Sequence, residues 1–86
     1  MEGARFRHRE DVSIEEMSRD ELNVAGWNAF LEADVDTLAR AAEVARSREK
    51  GFESIGQNDA SHAYDRLATS LERELSKLRD YIERGL

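Results

Sequence analysis

Between Ala60 and Arg84, the apolar residues Tyr64, Leu67, Leu71, Leu75, Leu78 and Ile82 recur at steps of three and four, separated by charged and small polar residues. That spacing aligns them along one side of an α-helix, as the a and d positions of a heptad. The pattern predicts a helix over about 60–84. Asn58, Asp59 and Ser61 offer side-chain caps at its start, and Gly85 offers a stop. At 1.5 Å per residue such a helix is about 37 Å long and needs a neighbour of similar length to cover its apolar side.

The neighbour is predicted upstream. Ser18 and Glu21 have the spacing of a capping box. After them come Leu22, Val24, Ala25, Trp27, Leu31, Val35, Leu38, Ala41, Ala42 and Ala45. This predicts a helix over about 19–50 that ends with Gly51 as the residue after its cap. Asp36 with Arg40, and Glu43 with Arg46, are spaced to pair along its outer side. Gly26 costs about 1 kcal/mol relative to alanine inside a helix, and so marks a candidate kink or break near residues 23–28. Ser13 and Glu16 form a second capping box and predict a short turn ahead of the main helix. The connector between the long helices is expected to tuck Phe52 and Ile55 over the open end of the pair.

These elements give an all-α helical hairpin of two long amphipathic helices, a single domain over residues 13–86 preceded by a basic arm over residues 1–12. A chain of 86 residues buries only about 60% of its unfolded surface. Trp27, Phe30, Leu31 and Val35 also span more of the helix circumference than one partner helix covers. The expectation is therefore a homodimer, two hairpins making a four-helix bundle. Its core and dimer seam would contain Trp27, Leu31, Leu38, Tyr64, Leu71, Leu75, Leu78 and Ile82.

Composition supports the helical reading and narrows the chemistry. The chain has no proline and only five glycines. It has no cysteine, which removes disulfides, thiolate zinc sites, iron–sulfur clusters and cysteine nucleophiles together. There are 19 acidic and 13 basic residues, for a net charge of −6, which argues against a surface dominated by nucleic-acid contacts. No apolar run approaches the roughly 18 residues of a membrane span, and the amino end has no apolar signal core, so the expectation is a cytoplasmic protein without membrane contact.

Candidate catalytic and metal-ligating patterns are weak. His8 and His62 lie in different elements, and neither has a partner at i,i+4 or Glu-x-x-His spacing. Asp59 and Asp65 flank His62 three residues to either side, but share a helix side with it only if the helix starts before residue 60. Glu32, Asp34 and Asp36 alternate as in a calcium loop but lack the glycine and terminal glutamate that such a loop needs. The glycines at 3, 26, 51, 56 and 85 match no phosphate-cradling motif. No enzyme activity and no cofactor are expected.

Two charged segments remain. Residues 10–37 carry nine acids and one base, fit to dock a basic partner or simply to satisfy helix starts. In the arm, Arg5, Arg7 and Arg9 would project from one side of an extended strand, with Phe6 and His8 on the other. Over about ten residues this arm resembles the N-terminal strand of ribbon–helix–helix repressors, a resemblance that implies arginine contacts in the DNA major groove. The helices predicted after it are longer than that family's. The favoured reading is a non-enzymatic helical interaction or regulatory module with an unidentified protein partner. The alternative is a small DNA-binding transcriptional regulator that uses Arg5, Phe6, Arg7 and Arg9.

Overall fold

A computed structural model describes residues 13–85, and the basic arm with its Arg5, Phe6, Arg7, His8 and Arg9 lies outside them. A single 3₁₀ turn, Ile14–Glu16, precedes three helices: α1 (Arg19–Leu31), α2 (Val35–Ser54) and α3 (Asn58–Glu83). The described residues contain no strand.

Helix α1 starts where the capping box predicts. The Ser18 hydroxyl accepts from the Glu21 backbone N–H at 3.2 Å, and the Glu21 carboxylate accepts from the Ser18 N–H at 2.8 Å. The helix then runs unbroken through Gly26. The predicted continuous helix over 19–50 is instead broken at residues 32–34, so the hairpin is a three-helix arrangement. The chain leaves α1 through Ala33, which sits at φ 57° in the left-handed region. The Ala33 N–H donates to the Phe30 carbonyl at 3.1 Å and the Asp34 N–H to the Ala29 carbonyl at 2.8 Å, the pair of reversed bonds that closes a helix end. Asp34 immediately opens α2. Its carboxylate accepts from the Thr37 N–H at 3.1 Å and from the Thr37 hydroxyl at 2.7 Å. The hydroxyl bond first and the backbone bond second hold the Asp34 carboxyl below its ordinary range. Its capping contribution is therefore present at neutral pH and is lost as pH falls through the low carboxylate range.

The next stop also lies later than predicted. Gly51 is inside α2, and Gly56, at φ 79°, is the left-handed residue after the cap. Its N–H donates to Glu53 at 3.1 Å, and the Gln57 N–H donates to Phe52 at 2.9 Å. A β-carbon at Gly51 would meet nothing within 4 Å. Gly51→Ala is therefore expected to stabilise the protein by about 1 kcal/mol, the helix-propensity difference, read as a raised midpoint in urea unfolding. Gly85, again at φ 79°, ends α3 as expected. At the start of that helix, Gln57 is the cap and makes no side-chain capping bond.

Helices α2 and α3 lie antiparallel, and α1 packs against both. The junction is lined by Leu22 and Ala29 from α1, Leu38, Ala41, Ala42 and Ala45 from α2, and Leu67, Ala68, Leu71 and Leu78 from α3, all buried. The alanines on α2 allow close helix approach. Gly26 does the same on α1, where a β-carbon would lie 2.2 Å from Leu71 Cδ2. Much of what the sequence pattern assigned to a second chain is thus supplied by α1 of the same chain. Leu71, Leu78 and Leu38 are core residues of the monomer, while Tyr64 and Leu75 are half-buried. Ile82 is 51% exposed because α3 outruns α2 by six residues, about 9 Å.

The first turn is tied down by Arg48. Its guanidinium donates to the Met17 carbonyl, to the Glu15 carbonyl at 2.6 Å and to the Tyr64 hydroxyl at 3.1 Å. Tyr64 in turn stacks on Phe52, with ring centroids 5.7 Å apart. Phe52 therefore covers the α2–α3 end as predicted, whereas Ile55 points to solvent at 67% exposure. Arg40 reaches Glu15 across the bundle instead of Asp36 along its own helix.

Candidate interaction surfaces

A helix places residues three, four and seven apart on the same side. In α1, Leu22, Gly26 and Ala29 share the side that faces the core. Val24, Trp27 and Leu31 share the opposite side and face solvent, at 49%, 53% and 71% exposure. Trp27 is braced by Phe30, whose ring meets it edge-on at 6.4 Å, and Phe30 itself packs on the core. The result is an apolar ridge on a firmly anchored helix. Asp20 stands at the amino end of the ridge, whereas Glu32, the cap residue after α1, lines a pocket on the α1–α2 side with Ala25, Ala29 and Thr37. Trp27 and Leu31, expected in the core or the dimer seam, lie outside the core of the single chain.

On the other side of the α2–α3 pair, away from α1, runs a groove of about 520 Å³. Ala39, Ala42 and Leu75 line it beside charged residues of both signs, Glu43 and Glu72 as well as Arg46, Lys50 and Arg79. The register follows from Arg46, which donates to Glu72 at 2.9 and 3.1 Å, so that Arg79 lies opposite Ala39 at one end and Lys50 marks the other. Lys50 and Arg79 form no ion pair with any described residue.

Arg46 is the strongest polar clamp between α2 and α3. Besides Glu72 it reaches Asp65 at 2.7 Å, Thr69 at 3.3 Å and Glu49 at 3.4 Å. Hydrogen bonds to Glu72 first and Asp65 second favour the charged guanidinium and raise its pKa further above the ordinary arginine range. This cluster holds two helices together, and its carboxylates are occupied by the arginine. The expected partner of Arg46 along its own helix, Glu43, is not among these contacts.

Among the described residues, no group of three or more His, Cys, Asp or Glu side chains is placed to hold a metal ion, and His62 is exposed on α3. No described helix is long and apolar enough to cross a membrane. No protein-family model matches the chain, and searches of curated proteins and of solved structures likewise return no match.

Proposed function

We propose that this chain is a non-enzymatic helical interaction module, and that its first partner is a second copy of itself. The observation that carries this reading is the Val24, Trp27 and Leu31 ridge on the solvent side of α1. Single exposed apolar residues are ordinary, but a tryptophan with two aliphatic neighbours in helical register is the composition of an interface centre. The helix under the ridge is anchored through Leu22, Gly26 and Ala29, so binding there orders little that is not already ordered. A homodimer built on this side would bury the apolar surface that one chain leaves in water. Regulation of a further protein partner would then act through the surfaces that assembly leaves open.

Trp27→Glu tests the reading. Trp27 is half exposed, so the helical circular dichroism is expected to be retained. Removal of a central aromatic anchor typically costs 2 kcal/mol or more, about thirtyfold or more in affinity. Sedimentation equilibrium at about 100 μM should return multiples of the chain mass for the parent and a monomer for the variant, in the concentration range where such contacts saturate. A monomeric parent at that concentration would refute self-association.

A further inference from the structure

We infer that the pocket on the α1–α2 side is the docking site of this chain's own basic segment, residues 5–9, which reaches it from the turn at Ile14. This surface is separate from the α1 ridge, and its occupant does not depend on self-association. The pocket measures about 290 Å³, just under the roughly 300–1,000 Å³ of small-molecule sites, a size for the side chains of one segment rather than for a folded partner. Ile14, Met17, Ala25 and Ala29 give it an apolar wall, and the charged residues among its described lining are both acids, Glu32 and Asp34. Both carboxylates have capacity left. Glu32 makes no ion pair with any described residue. Each Asp34 oxygen accepts one bond from Thr37, and a carboxylate offers about four acceptor positions in all. An apolar wall with a carboxylate rim suits arginine, whose stem lies along apolar surface while its guanidinium forks onto carboxylate oxygens.

The chain supplies such a segment beside the pocket. Residues 5–9 hold Arg5, Arg7 and Arg9 with Phe6 and His8 and contain no acid; Glu10 and Asp11 then separate them from the described turn. That turn is held in place: Arg48 donates to the Glu15 carbonyl at 2.6 Å and to the Met17 carbonyl, and Arg40 pairs with Glu15. Ile14, part of the pocket wall, therefore fixes where the arm begins. Arg9 and Arg5 precede Ile14 by five and nine residues, a reach of about 17 Å and about 30 Å of extended chain. The pocket wall from Ala25 to Glu32 spans only about 10 Å of α1, so every arginine of the segment can reach it. A tether this short presents the arginines at an effective concentration of millimolar order, which a separate basic partner would have to exceed. An anionic partner of the arm would in turn compete with Glu32 and Asp34 for the same arginines.

The chain has no cysteine, so Gly3→Cys in the full chain accepts a single nitroxide label. Paramagnetic broadening of the amide NMR signals should be strongest at Ala25, Ala29 and Glu32, which lose most of their intensity. They should recover it in about 1 M salt, where the Debye length falls to about 3 Å. Glu32→Lys, at an exposed position, should keep the helical circular dichroism and lose the broadening, and so should Arg5→Ser/Arg7→Ser/Arg9→Ser, which leaves the pocket untouched. A mixture of nitroxide-labelled chain with isotope-labelled chain that carries no nitroxide separates a chain's own arm from that of a second copy, and it should show no broadening at the pocket. Broadening centred elsewhere, broadening that survives Glu32→Lys or the arginine variant, or broadening as strong in the mixture as within one chain would overturn docking of the chain's own arm.

Discussion

Leu38→Ala is expected to lower the unfolding free energy by about 2–5 kcal/mol. Leu38 is fully buried on α2, and its Cδ1 lies 3.7 Å from where a β-carbon on Gly26 of α1 would stand, so it sits where α1 and α2 meet. Truncation removes apolar contacts and leaves a cavity between helices that are anchored elsewhere by Arg46 and Arg48 and cannot freely collapse. Domains of this size are held by roughly 5–15 kcal/mol, so the loss is a large share of the total. Urea unfolding followed by circular dichroism measures it. Leu75→Ala, at a half-buried position beside the groove, should cost clearly less. Equal losses at the two positions would mean that α1 does not pack where the structure puts it.

Gly26→Ala should destabilise the protein by about 1–3 kcal/mol, against the sign that helix propensity alone gives. The new methyl would lie 2.2 Å from Leu71 Cδ2, and Leu71 is only 3% exposed. Leu71 would have to turn within a closed core, or α1 would have to move outward, and either change loosens the junction around Leu22 and Leu38. Gly51→Ala is the internal control, because the same substitution in open space should stabilise. Thermal melts of the two variants should move in opposite directions. A raised melting temperature for both would contradict the close crossing of α1 over α3.

The long helix α3 was legible because its apolar residues fall on one side and Gly85 marks its end, although its start at Gln57 carries none of the side-chain caps that the sequence offered. The break between α1 and α2 was not. Its left-handed residue is Ala33, which gives no glycine signal, and the pattern of Leu31, Val35 and Leu38 continues across it as though the helix did. Asp34 followed by Thr37 was the available clue, the spacing of an acidic cap and the N–H that it accepts from. Gly26 and Gly51 exchanged roles for a related reason: propensity registers what a glycine costs its own helix and not what stands beside it. One has Leu71 against it and the other has nothing.

The candidate surface was half legible. Trp27 and Leu31 stood out as a wide apolar arc, but α1 is apolar on two sides. Only the packing of Leu22, Gly26 and Ala29 against α2 and α3 decides which side remains for a partner. The groove was not legible, because Ala42 and Leu75 read as ordinary hairpin contacts and nothing in the pattern singles out Ala39.

The chain contains a single tryptophan, and it stands at the centre of the ridge, so its fluorescence reports on that surface directly. At about 100 μM, where an interface of this kind is populated, Trp27 emission should be blue-shifted and shielded from an aqueous quencher. On dilution to the monomer it should move to longer wavelength and become accessible, with no change in helical circular dichroism. Emission of a water-exposed indole at every concentration would contradict assembly through α1.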